Sequence, residues 1–385
     1  MNRAIEILKK NTMIIVLIIV TLFFTIQTGG TLLVPQNVTN LIAQNGYVVV
    51  LAVGMLMCIL TGGNIDLSVG SIVALIGAIA GTLMVNLKLN MWLAIAICLI
   101  AGILIGVFQG YWIAYLRIPA FIVTLAGMLI WRGLALMVLN GLTVSPFPDK
   151  YLNLFDSYIP DIFKGNINIF SIVLGIIVCV IYIAIQVVSR INRRRKGYQL
   201  EPIVGVIVKT VIISAVIMAL AYSFANHKGV PYILVLLAVI VLIYGYFTTK
   251  TVPGRYLYAM GGNEKAARLS GINTNKVLFF SYVNMAFLSA VAALICVARF
   301  NSAAPTAGSG YELDAIGACF IGGTSAYGGV GTVPGVVIGA IFMGVINNGM
   351  SIMGIDTDMQ KVVKGLVLLA AVTFDVLSKE RSRTA

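Results

Sequence analysis

The chain carries little charge and almost no histidine: Asp, Glu, Lys and Arg make up 10% of its 385 residues, and the only histidine is His227. A soluble domain of this length would have to show water a largely apolar surface, so a soluble fold is excluded. A lone histidine beside Lys228 offers no pair for metal ligation or acid–base work. There is no G-x-x-x-x-G-K-[ST] phosphate loop, no G-x-S-x-G elbow and no H-E-x-x-H helix. Phosphate-loop ATP hydrolysis is thus excluded for the chain alone, and neither a catalytic residue, a metal nor a cofactor is expected. The five cysteines (Cys58, Cys98, Cys179, Cys296 and Cys319) all lie in apolar stretches without a C-x-x-C pair. They read as small buried hydrophobes.

What the chain has in abundance is apolar surface, with 60% hydrophobic residues and a mean hydropathy of +1.01. It needs lipid as a solvent. Runs near the roughly 17–25 residues that cross a bilayer fall at 12–28, 45–61, 67–87, 91–114, 119–139, 168–189, 203–224, 230–249, 277–298 and 359–377. Two further segments, 312–323 and 333–353, flank GGTSAYGGVGT, which cannot hold a regular helix cheaply. The fold class is an all-α polytopic membrane protein of about 10–12 transmembrane helices, broken or re-entrant segments included. MNRAIEILKK has the basic start of a signal peptide but no clear small-residue cleavage site follows the apolar run, so an uncleaved first helix is expected.

The net charge of +13 is accounted for by sidedness. With twelve crossings and a cytoplasmic amino terminus, 18 of the 26 Lys and Arg residues fall inside, among them Arg3, Lys9, Lys10, Arg117, Lys209, Lys276, Lys379, Arg381 and Arg383. Both termini are therefore expected in the cytoplasm. The densest basic run, SRINRRRKG, joins two spans by a short turn facing anionic headgroups. Without aromatic platforms or a DNA-reading motif, nucleic acid is not an expected partner.

TGGNIDLSVGSIVALIGA at 61–78 and IGGTSAYGGVGTVPGVVIGA at 321–340 share glycine landmarks. An internal repeat and chance in a Gly- and Val-rich chain both explain them, and Gly-broken segments at matching places mark the pathway in many transporters. Polar residues within spans are the candidate pathway or gate: Asn64, Asp66, Ser68, Gln109, Asn284, Asn347 and Asn348. For Asp66 the structural alternative is a helix cap. For Gln109 and the asparagines it is interhelical hydrogen bonding, although their neutrality suits a hydroxyl-rich solute. Arg132 is expected to snorkel. Glu312 and Asp314 are expected to cap the broken segment from outside, with no basic partner in view.

The most specific local feature is PGRYLYAMGGNEKAARLSGINTNK. Gly262 precedes Asn263, a good N-cap; Glu264 favours the first turn and stands i,i+4 from Arg268; Gly271 is a natural stop. Glu264 to Ser270 should form a two-turn helix outside the membrane, with Ala266 and Ala267 as a small-residue face. A mere connector is the alternative.

At this loop the chain resembles the permease subunits of bacterial monosaccharide ABC importers. The resemblance rests on GGNIDLSVGSIVAL at 62–75, IPAFIVTLAGM at 118–128, GRYLYAMGGNEKAARLSGINTNKV at 254–277, PTAGSGYELDAIGACFIGGTSAYGGVGTVPGVVIGA at 305–340 and NNGM at 347–350. It implies one permease domain over 1–385 in the bacterial inner membrane, working as a homodimer. It also implies a separate ATPase with two phosphate loops and an extracytoplasmic sugar-binding protein. The loop 254–276 would be the coupling element seated in the ATPase. Three spans between the outer loop and this loop, in place of one, suggest an extra hairpin at 168–224 and point to the xylose-type or multiple-monosaccharide branch. An ion- or proton-coupled secondary sugar transporter is the competing expectation, motivated by the repeat and Asp66.

Overall fold

The computed structural model describes residues 12–163, 165, 167–198 and 202–384. The expected inside charges Arg3, Lys9 and Lys10 and the outside charge Lys164 lie outside the described residues, as do the side chains of Lys379, Arg381 and Arg383. The described residues form fifteen α-helices and no strand.

Four helices make the centre: α2 (Pro35–Leu60), α3 (Val69–Gly81), α12 (Thr274–Phe300) and α14 (Val333–Ile352). Lipid tails are as apolar as leucine, so close backbone approach rather than water exclusion must hold such helices together. Glycine supplies it where α4 (Met91–Ala114) meets α12. A Cβ on Gly102 would stand 2.5 Å from Ala290 Cβ, and one on Gly106 would stand 2.6 Å from Val283 Cα.

Around this centre lie α1 (Thr12–Gln27), α5 (Ala120–Val138), α7 (Ile169–Arg195), α8 (Ile203–Ala225) and α9 (Tyr232–Lys250). The apolar stretch of α2 is 83% buried and that of α8 is 0% buried, which separates core from lipid-facing helices. Trp92, Leu104, Leu129, Val204 and Leu242 are exposed on this periphery.

Nine of the described helices are long and apolar enough to cross a membrane. The other three expected spans are the 16-residue α1, the 11-residue α13 (Tyr311–Ile321) and α15 (Thr357–Thr384), which carries Asp358, Lys361 and Lys364. One boundary moves far. The span expected at 45 begins at Pro35, because Asn37 and Gln44 find partners on α14 and so belong inside a helix.

At one end, the basic face, the turns after Ala114, Arg195 and Lys250 gather with α10 (Val252–Gly262) and α11 (Glu264–Leu269). At the other, α6 (Asp149–Phe155) lies among loops tied by the bridges Val144 to Ala303 and Tyr158 to Pro231, and Arg299 pairs with Asp156 at 3.1 Å. Partial burial, then the neighbouring Lys228, holds His227 below its ordinary pKa, which fits a neutral bystander.

Candidate functional site

The segment expected to meet a partner is a capped helix. Asn263 Oδ1 accepts from the Ala266 amide at 3.0 Å, a cap worth about 1 kcal/mol. At the other end Gly271 stands at φ +84°, a conformation that a Cβ would strain, and Ile272 N donates to Ala267 O at 3.1 Å. Lys265, Ala266, Arg268 and Leu269 face outward, Leu269 at 89% exposure. Ala267 is buried against the protein, so the expected two-alanine face is reduced to Ala266.

Glu264 does not pair with Arg268. Its Oε1 lies 2.7 Å from Nη1 of Arg117, in the turn between α4 and α5. Arg117 also donates from Nη2 to Thr274 Oγ1 at 3.1 Å and to Asn275 Oδ1, both at the start of α12. Three acceptors fixed on one guanidinium fork outweigh an i,i+4 pair of about 0.2–0.5 kcal/mol. Arg117 was counted in the sequence only as an inside charge; nothing local marks its partners.

Behind α11 the chain is held by main chain. A Cβ on Gly261 would meet Leu60 O at 1.9 Å and Gly329 N at 2.3 Å, so only glycine fits. Gly329 N donates to Leu60 O at 3.1 Å and Tyr258 Oη to Gly331 O at 2.9 Å. The two glycine motifs themselves touch, since a Cβ on Gly63 would stand 2.1 Å from Ala326 O. Asp375 on α15 closes the ring by accepting from Ala326 N at 3.1 Å.

The polar residues at the start of α3 form one buried chain. Asp66 Oδ1 accepts from Ser68 N at 2.8 Å and Ser68 Oγ at 2.6 Å, and Gln109 Nε2 donates to Ser68 Oγ at 2.8 Å. Asp66 therefore turns the chain onto the N-cap residue Ser68 and bonds no amide inside the helix, which begins at Val69. Asn64 bonds within the turn, to Thr61 O and Oγ1. Asn284 accepts from Tyr244 Oη, linking α12 to α9.

Asn347 and Asn348 belong to a different, more open cluster. Asn348 and Asn37 exchange bonds of 3.1 and 2.8 Å, and Gln44 Oε1 accepts from Asn348 Nδ2 at 3.4 Å. Next to them Asp314 Oδ1 takes Lys364 Nζ at 2.9 Å and Asn347 Nδ2 at 3.4 Å, and Oδ2 takes Tyr47 Oη at 3.3 Å. Tyr47 stacks on Tyr311 with centroids 3.9 Å apart. The expected outside cap is corrected for Asp314, which has a basic partner, Lys364; the Glu312 carboxylate does accept from backbone N–H groups of Gly310 and Glu312 at the start of α13.

Arg132 reaches a protein loop. Its Nη1 donates to Pro305 O at 2.7 Å and Ala307 O at 2.5 Å, holding the loop that leads into α13. Five unfilled carbonyl-seeking N–H groups make such a loop a better partner than a distant interface. Sequence reasoning missed Lys364, Tyr47 and Leu269; only Leu269, an apolar residue in a polar loop, carried a local signal.

Residues 37–181 and 161–372 match the family described as branched-chain amino acid transport system / permease component. The chain is 38% identical over 375 residues to the xylose transport system permease protein XylH of Escherichia coli (strain K12), covering 97% of itself and 93% of that protein. It is 35% identical over 374 residues to XylH of Haemophilus influenzae, covering 97% and 98%. To the ribose import permease protein RbsC of Escherichia coli (strain K12) it is 33% identical over 368 residues, covering 96% and 94%. No solved structure matches. With these matches across nearly its whole length, and nine helices able to span a bilayer among the described residues, the chain belongs to that permease family and is a multi-pass membrane transport subunit.

Proposed function

We propose that the chain is the membrane subunit of an ATP-driven importer that carries a monosaccharide, xylose or a related pentose or hexose, across the bacterial inner membrane. The motor is a separate ATPase, and an extracytoplasmic sugar-binding protein delivers the solute. The names of the relatives, two xylose permeases and a ribose permease, support the substrate class. Positive charge on the face that carries α11 supports cytoplasmic placement of that face and of both termini. Residues 1–385 act as one permease domain, with 254–276 as its coupling loop. The hairpin 168–224 is an addition at the rim, since α8 is the least buried span.

The observation that carries this reading is the coupling segment. Gly262, Asn263, Glu264, Ala266, Ala267, Arg268 and Gly271 build a short helix that shows Leu269 to solvent, is tied to α12 through Arg117, and follows directly on α10, whose Gly261 and Tyr258 lie on Leu60 and the second glycine turn. A force on its outer side has a short route through Gly261 to the end of α2 and through Arg117 to the start of α12.

The pathway runs between two copies of the chain. Gln44 is exposed and Tyr47, Asn347 and Lys364 are partly exposed on one lateral face. A lysine in hydrocarbon costs about 2.5–3.5 kcal/mol, so such a face belongs on water or a second copy. Asn347 and Asn348 then line the pathway, while Asn64, Asp66, Ser68, Gln109 and Asn284 set the angles of the helices around it.

Co-expression of the chain with an ATPase subunit of a monosaccharide importer, followed by purification and sugar uptake in proteoliposomes, tests the proposal. Leu269→Asp is expected to lower ATPase retention and uptake at least tenfold, on the order of a lost apolar anchor. Unchanged uptake and retention, or sugar accumulation by the chain alone on a proton gradient, would overturn it.

A further inference from the structure

Between the ends of α7 and α9 on the basic face lies an open groove of about 710 Å³. One wall is a single face of α7: Ile181, Ala184, Ile185 and Val188 recur at helical spacing. The same face then changes character along the axis. After Ser189 and Asn192 it presents Arg193 and Lys196, and Lys250 approaches from the end of α9. None of these three cations has a carboxylate partner among the described residues. All three are exposed.

An apolar wall rising from three cations that have no carboxylate partner among the described residues has the chemistry of a phospholipid's two ends. We infer that this groove binds an anionic diacyl phospholipid of the leaflet on the basic face. The phosphodiester sits among Arg193, Lys196 and Lys250, with Ser189 and Asn192 as polar neighbours for the glycerol part. The acyl chains lie along Ile181 to Val188. A soluble acidic peptide would satisfy the cations but leave that wall uncovered, so the lipid is the better occupant. Basic pockets between spans select anionic headgroups because each Lys or Arg adds attraction that a zwitterionic lipid does not repay. The inference concerns the hairpin's rim and does not depend on the sugar or on the ATPase.

The test is native mass spectrometry of the full chain, delipidated in neutral detergent and supplied with phosphatidylglycerol or phosphatidylcholine. Wild type is expected to keep phosphatidylglycerol at least about tenfold better, a floor for two or three close cations. The double substitution R193Q/K250Q should abolish the preference. The charge-matched R194Q/R195Q, whose residues do not line the groove, should retain it, as should Arg193→Lys. Equal loss in both double variants would overturn the inference by showing a merely general effect of charge. So would loss in neither, or displacement of the lipid by soluble glycerol phosphate or an acidic peptide. The substituted side chains are exposed, and an unchanged melting temperature checks that folding is intact.

Discussion

Lys364 of α15 and Asp314 of α13 form an ion pair of 2.9 Å, with the carboxylate side chain 1% exposed and the lysine 16% exposed. It fastens the last helix to the short broken one. Removing either partner alone strands the other charge, at about 3–5 kcal/mol. Lys364→Met is therefore expected to lower the thermal unfolding midpoint in detergent sharply, and the double variant D314N/K364M should lose much less than the two singles added together. Strict additivity would show that the pair does not hold α15.

Gly261 and Gly262 are neighbours with opposite tolerances. Alanine at 261 meets Leu60 O at 1.9 Å, whereas a Cβ at 262 has nothing within 4 Å. Gly261→Ala is expected to reduce uptake by an order of magnitude or more, because one of three main-chain segments must move. Gly262→Ala should leave uptake within about twofold of wild type. Uptake in proteoliposomes decides, and equal behaviour of the two would remove the close contact from the account.

Arg117 and Glu264 are each near 40% exposed, so their bridge contributes at most about 1 kcal/mol to folding. Its expected role is alignment. Arg117→Gln and Glu264→Gln should leave melting nearly unchanged yet each lower sugar-stimulated ATPase activity in the assembled transporter. The double variant should do no worse than the worse single. Independent, multiplying losses would argue against a shared contact.

The lateral polar face makes a prediction about assembly. All five native cysteines are buried, so a cysteine at Gln44 reports on its own surroundings. Oxidation in membranes is expected to link Gln44→Cys protomers into dimers. Leu242→Cys, at 71% exposure on the lipid side of α9, should stay monomeric. The reverse pattern would move the interface to the hairpin side.

Local signals were readable from the chain. The span at 91–114 matches α4 to the residue, because Asn90 caps it and the run behind is unbroken. Asn263 and Gly271 were readable for the same reason, since cap and stop act within one turn. What escaped depends on partners far away in sequence. The first ten residues of α2 read as a polar loop because the groups satisfying Asn37 lie 311 positions on. Glu264 looked paired with Arg268 because Arg117 is 147 positions back. Asp314 looked unpaired because a glycine-rich break hides the register that brings Lys364 to it.

Where Gly63 meets Ala326 and Gly261 meets Leu60, main chain touches main chain directly, with Tyr258 and Asp375 bonding the edge of the junction. Side chains absorb small displacements by changing rotamer; peptide planes in direct contact have no such slack. If the proposed coupling role holds, such a joint acts as a pinned bearing, in which a small tilt of α11 is passed through Gly261 to the end of α2. Lubricating it with even one methyl group should cost the transporter its stroke while leaving its assembly untouched.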